Sequence, residues 1–168
     1  MREFVAALAI FASACISPGG DLRAMAESMS IPSSLRTLPA PEDQPSTPIT
    51  TIHVGGTGGI LAEAIGLEMV HYGFAVVSEA IHTDGVAPDE GIGVLDIEWT
   101  FALHDGNPNT VIAIVTAPGS GVMLAGVSWT NARAGAAGSP ADVMVRKTTM
   151  TAAQEIAAGL VRQISPQD

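Results

Sequence analysis

VLDIEWTFAL, Val94 to Leu103, alternates apolar and polar side chains with the two-residue period of a β-strand. Leu95, Ile97, Trp99, Phe101 and Leu103 fall on one side, and Asp96, Glu98, Thr100 and His104 on the other. A strand patterned in this way buries one face and leaves the other to water, as antiparallel sheets commonly do. Just downstream, His104-Asp105-Gly106-Asn107-Pro108 is turn chemistry, and TVIAIVT, Thr110 to Thr116, is the return strand. Pro118-Gly119-Ser120-Gly121 makes a second turn, and Val122 to Thr130 completes an antiparallel meander.

Upstream, TTIHV, Thr50 to Val54, is β-rich and is broken by the glycine run Gly55-Gly56-Thr57-Gly58-Gly59. From Ile60 to Tyr72 the spacing becomes helical: Leu61, Ile65 and Met69 share a stripe, with Ile60, Ala64 and Leu67 beside it. Gly73 is placed just past the helix end, where a left-handed residue needs no Cβ, and Phe74 folds back on the last turn. Phe74 to Ser78 forms a second strand, and a polar loop from Ala80 to Gly91 leads into the meander.

At the far end Ser139 is a helix cap, Pro140 suits the first turn and Asp142 complements the positive helix end. The spacing predicts one helix from there toward Ile164, with Val143, Lys147, Met150, Ile156, Leu160, Val161 and Ile164 on one side. Thr148, Thr149, Thr151 and Gly159 make it a poor helix former alone, so it needs the sheet to hold it. The predicted fold class is α+β. It is a single compact domain of β-α-β-meander-α order over residues 49–168, with an antiparallel or mixed sheet and both helices packed on one face.

The first residues read differently. Arg2 precedes FVAALAIFASA, Phe4 to Ala14, an unbroken apolar or small run that suits the core of a signal peptide over residues 1–14. It is shorter than the ~20 apolar residues a transmembrane helix needs. Cys15, the one cysteine of the chain, follows Ala14 directly. The bond between Ala14 and Cys15 suits ordinary signal peptidase and equally lipoprotein processing. From Cys15 to Pro48 the chain carries Pro18, Pro32, Pro39, Pro41, Pro45 and Pro48 among Ser, Gly and acidic residues, so residues 15–48 are predicted to be an extended tether. Such chain reaches up to ~3.1 Å per residue. Leu35 and Leu38 lie within it with no obvious core to join.

Net charge is −10, and removing residues 1–14 takes away Arg2 and Glu3 together, so the balance is unchanged. An acidic surface of that size repels phosphate backbones, which argues against direct nucleic-acid binding. With no second cysteine the domain closes no internal disulfide, and its stability must come from its core.

Catalytic and cofactor patterns are weak. Gly56-Thr57-Gly58 opens a helix but lacks both the third glycine of a dinucleotide loop and the Lys-Ser/Thr of a phosphate loop. His53, His71, His82 and His104 with Asp84, Asp96, Glu98 and Asp105 show no metal-ligand spacing, and no metal is expected. Asp96 and Glu98 share a strand face as an acid/base pair would, but an exposed polar face explains them as well. Ser120 sits in a hairpin turn rather than a nucleophile elbow. The chain is therefore expected to be no enzyme and to carry no cofactor beyond a covalent lipid on Cys15. Trp99 and Trp129 read as core or sheet-face residues, or, where exposed, as anchors for a protein partner.

Ala12-Ser13-Ala14-Cys15 resembles a bacterial lipobox. The stretches HYGFAVVSEA, LDIEWTFAL, VIAIVT, VMLAGVSWTNA and AAGSPADVMVR, which fall between Thr50 and Arg146, resemble the conjugal transfer lipoprotein TrbH family. The helix beyond Arg146 departs from that pattern. With the β-α-β-meander order, it is similar to the curli-secretion and penicillin-binding-protein-activator lipoproteins. Both resemblances imply an outer-membrane lipoprotein on the periplasmic side that works through contact with other envelope proteins. The first implies a structural or assembly part of a conjugative type IV secretion apparatus. The second implies a periplasmic regulator of an envelope enzyme such as a peptidoglycan synthase.

Overall fold

The structure, a computed structural model, describes residues 30–39, 47–55, 58–78 and 91–165. The alternation at Val94–Leu103 becomes β5, Ile92–Phe101, which pairs antiparallel with β6, Pro108–Thr116, and β6 pairs antiparallel with β7, Met123–Thr130. Leu95 and Ile97 are buried while Asp96 and Glu98 are exposed, so the period-two pattern sets the face as expected. The apolar side stops before the strand end: Phe101 is exposed and Leu103 almost wholly so.

The glycine run leads from β3, Thr51–Val54, into α1, Gly59–His71, which returns the chain to β4, Ala75–Val77. Strand β3 lies parallel to both β4 and β5. The helix closes as the sequence predicts. Gly73 has φ of 92°, its N–H reaches the Val70 carbonyl, and the Phe74 N–H reaches that of Met69 at 3.2 Å. Phe74 is buried against the core.

The sheet has six strands in the order β2-β7-β6-β5-β3-β4, where β2 is Ser34–Thr37. A separate pair joins β1, Ser30–Ile31, to β8, Arg133–Ala134. Residues 30–37, which the sequence assigns to the tether, thus belong to the folded domain. Leu35 finds its core opposite Trp129, and Pro32 and Pro39 flank a strand at the sheet edge, where proline is tolerated.

The predicted C-terminal helix is two helices: α2, Pro140–Val145, and α3, Thr149–Ile164. Ser139 caps α2 by accepting from the Asp142 N–H. Arg146 then turns extended, and Thr148 starts α3 by accepting from the Thr151 N–H. The break is held from outside the helices. Buried Asn131 donates to the Lys147 carbonyl at 2.9 Å and accepts the Lys147 N–H at 2.8 Å, pinning the link between them. Val143 and Met150, predicted on the apolar side, are half exposed as a result of the break.

Helices α1 and α3 cover one sheet face around a single core that includes Ile52, Ile65, Leu95, Trp129, Ile156 and Leu160. Helix α3 crosses β7 and β2 at Gly159, where a Cβ would lie 2.9 Å from Leu35 Cδ2 and 3.0 Å from Val127 Cγ1. The residue that weakens the helix in isolation is the one that lets it seat on the sheet. Gly159→Leu should therefore lower stability by about 2 kcal/mol through overpacking, read as a lower urea midpoint; an unchanged midpoint would mean the crossing is not tight.

Candidate interaction surface

Three regions of the described surface bear on function: the outer side of α1, the aromatic end of β5, and the polar cluster below the β5–β6 turn. The buried stripe of α1 is Leu61, Ile65 and Met69, as predicted. Its outward side also carries large apolar residues, with exposed Glu63 among them. Ile60 is 75% exposed and Leu67 62%, with Val70 and Tyr72 half exposed. Ile60, Leu67 and Val70 are spaced to lie along one side of the helix, so they form a stripe. The sheet and α3 cover the helix on its other side only, so this stripe is left open among the described residues.

At the end of β5, Trp99 is partly buried and its ring lies 6.0 Å from that of the exposed Phe101, tilted by 53°. This pair leaves an aromatic surface exposed at the end of the strand. Trp129 is different: it is fully buried and its indole N–H donates to Glu155 at 2.7 Å. It supports the core and does not reach a partner, because β7 is an interior strand and α3 lies over it.

The sequence singles out Asp96, Glu98 and His104, and the structure does not gather them. Asp96 and Glu98 project from the uncovered sheet face, while His104 sits beyond the strand, 3.6 Å from Asp142 Oδ2 and 3.7 Å from Asp105 Oδ2. His71 lies 3.6 Å from Glu68 on the surface of α1, and His53 is on β3. Among the described residues no group of three or more His, Cys, Asp or Glu is placed to hold a metal ion. No described helix is long and apolar enough to cross a membrane. Ala14, Cys15, Gly56, Thr57, His82 and Asp84 lie outside the described residues.

The polar cluster has no signature in the sequence. Arg146 Nε donates to Asp105 Oδ2 at 2.8 Å, and its other nitrogens reach the Asn107 and Pro108 carbonyls and Asn109 Oδ1. The Arg146 side chain is 2% exposed. Nearby, Asp142 accepts from the Ala134 and Gly138 N–H groups. The cluster ties the β5–β6 turn to the end of α2, which is distant in sequence, a pairing that spacing alone cannot reveal. Its density of satisfied bonds marks it as an architectural joint rather than a ligand site.

Burial works against ionisation of Asp105, but hydrogen bonds from Asn107 and Arg146, together with the guanidinium charge, outweigh it and hold the carboxyl below its ordinary 3.8. A carboxyl lowered on folding stabilises the fold above its unfolded value and loses that contribution as pH falls through the folded value. The melting-temperature gap between the parent and Asp105→Asn should thus be constant near neutral pH and close below pH 3.8. A gap undiminished in strong acid would refute the assignment. Arg146→Ala should cost roughly 3 kcal/mol by urea titration, because it takes the guanidinium partner from Asp105, while the Asn107 and Pro108 carbonyls keep the Ala102 N–H and the Asn131 amide.

No family model matches this chain, and no curated protein matches it. Among solved structures it is similar to a PelC L103M dodecamer from Paraburkholderia phytofirmans, at 14% identity and a TM-score of 0.46, over 80% of this chain and 99% of that one. It is also similar to a PelC dodecamer from the same organism, at 12% identity and a TM-score of 0.44, over 81% of this chain and 99% of that one.

Proposed function

We propose that this chain is a non-catalytic outer-membrane lipoprotein, anchored through an acylated Cys15 on the periplasmic face, that serves as a structural or assembly component of a conjugative type IV secretion apparatus. The observation that carries the contact role is the exposed apolar side of α1, where Ile60, Leu67 and Val70 face away from the core. Large apolar side chains grouped in a stripe favour burial against another protein. The anchor follows from the small-residue run ending at Ala14 and the single cysteine after it. Two or more acyl chains on that thiol, at about 0.8 kcal/mol per buried methylene, hold a protein on a membrane without a transmembrane helix. The assignment to conjugation rests on the TrbH-like segments between Thr50 and Arg146.

The test is complementation in a conjugative donor. Deleting the gene should abolish plasmid transfer, and the parent gene should restore it. Cys15→Ala should fail through loss of the anchor, and Leu67→Glu should fail through loss of contact while leaving the melting temperature within about a degree or two. Mass spectrometry of the native product should find fatty acid on Cys15. Transfer that continues at the parent rate in the deletion strain would remove the conjugative role. Recovery of a peptidoglycan synthase, and no secretion subunit, on crosslinking from the α1 face would replace it with the regulatory reading.

A further inference from the structure

The six-stranded sheet ends on one side in β2, which pairs only with β7 among the described residues. The Leu38 N–H bonds the Gly126 carbonyl at 2.8 Å, and the register carries on through Arg36 opposite Ser128 and Ser34 opposite Thr130. Antiparallel pairs alternate between bonded and non-bonded positions. Ser34, Arg36 and Leu38 therefore turn their backbone groups toward β7, and Leu35 and Thr37 turn theirs outward. This edge is four residues long, against three for β4 at the opposite side.

Where β2 ends, the neighbouring backbone is already closed. Gln163 from α3 accepts the Gly126 N–H at 3.2 Å and donates to the Gly126 carbonyl at 3.1 Å. The edge of β2 itself has no such cover among the described residues. Beside it lies a groove of about 300 Å³ between β2 and α3, lined by Ser33, Leu35, Lys147, Glu155, Ala158 and Arg162. A strand added beside β2 would send the side chains opposite Leu35 and Thr37 toward this groove, and the alternate ones toward the side of Arg36.

The charge at this edge is unlike that of the chain. Net charge is −10, yet of the Lys and Arg among the described residues, Arg36, Lys147 and Arg162 flank β2, and only Arg133 and Arg146 lie elsewhere. Glu155 is taken by Lys147 and the Trp129 indole. Among the described residues no carboxylate forms an ion pair with Arg36 or Arg162.

We propose that β2 accepts an extended, acidic segment of a partner protein as a seventh strand, its backbone bonded to Leu35 and Thr37 and its carboxylates beside Arg36 on one face and Arg162 on the other. Main-chain bonding supplies affinity in this mode, and alternate side chains supply specificity. A second copy is a poor occupant, because β2 against β2 brings Arg36 and Arg162 of the two chains together and joins two acidic bodies. The inference stands on the edge geometry and is independent of the compartment and machinery proposed above.

The test is fluorescence anisotropy of the full chain with a labelled peptide, Thr-Glu-Val-Asp-Glu-Thr, which carries carboxylates on both strand faces, and its lysine counterpart, Thr-Lys-Val-Lys-Lys-Thr. The acidic peptide should bind and weaken as salt rises, and the lysine peptide should not bind. Arg36→Glu with Arg162→Glu should weaken binding about tenfold. Thr37→Pro should abolish it, since it removes an outward N–H while the bonds of Arg36 and Leu38 to β7 remain. Both variants should keep the parent melting temperature. Equal binding of the two peptides, or no effect of the double arginine variant, would overturn the proposal. So would concentration-dependent self-association that Thr37→Pro abolishes, because the edge would then belong to a second copy.

Discussion

Leu95, Ile97, Val111, Ala113, Val115, Val127 and Trp129 all leave the same side of β5, β6 and β7, and the sheet cannot shield them from water by itself. Burying each large side chain of this kind contributes about 1.5–3 kcal/mol, so the fold depends on something being laid over that side. Helices α1 and α3 meet the requirement together, and they pack against each other as well as on the strands. The opposite side carries the exposed Asp96, Glu98, Thr100 and Thr110, the two threonine hydroxyls bonded to each other at 2.7 Å, and no described helix covers it.

Apolar burial does not by itself fix where a helix sits along a sheet, and here polar contacts do so. The Asn131 amide holds Lys147, the Trp129 indole holds Glu155, and the Gly126 backbone holds Gln163. Glu155 and Gln163 are a little over two helical turns apart, so one flank of α3 meets β7 at both, and the link ahead of the helix is held at the Lys147 backbone. Sliding the helix by a single residue would break all of these contacts and leave buried polar groups without partners, at about 1–3 kcal/mol each.

Local rules made much of this legible. The alternation from Val94, the turn after it and the Gly73 closure of α1 each depend on residues within a few positions of one another, and each appears, although β5 ends at Phe101, so Leu103 is exposed in the turn, and Pro108 already begins β6. What escaped depends on distant partners. Leu35 shows its role only once Trp129 lies opposite and Gly159 opens the space above it. The two tryptophans look alike in alternating strands, and they differ because Trp129 lies under α3 while Trp99 lies near the end of the covered face. The break between α2 and α3 has no proline or glycine to announce it: Thr148 caps α3 locally, and Asn131 on another segment holds the link. Arg146 reads as a surface helix residue until the Asp105 turn is brought beneath it.

The surface divides in a way that follows from the same constraint. Once one side of the sheet is committed to helices, contact with other molecules falls to what lies outside that packing: the open sheet face, the outer side of α1, the aromatic end of β5, and the sheet edges. An unmanaged edge is a hazard for aggregation, and proteins blunt it with short strands, charges or covering groups. All three devices occur here. Strand β4 is short, Gln163 covers Gly126, and Arg36 places a charge on β2. Of these the arginine is the selective one, because it repels another copy of the same edge while attracting an acidic strand. The helix that exposes Ile60 and Leu67 carries a charge of the opposite sign among them, Glu63. The α1 face supplies mainly apolar area for contact, whereas the β2 edge supplies backbone groups and positive charge, and charge is what discriminates between partners.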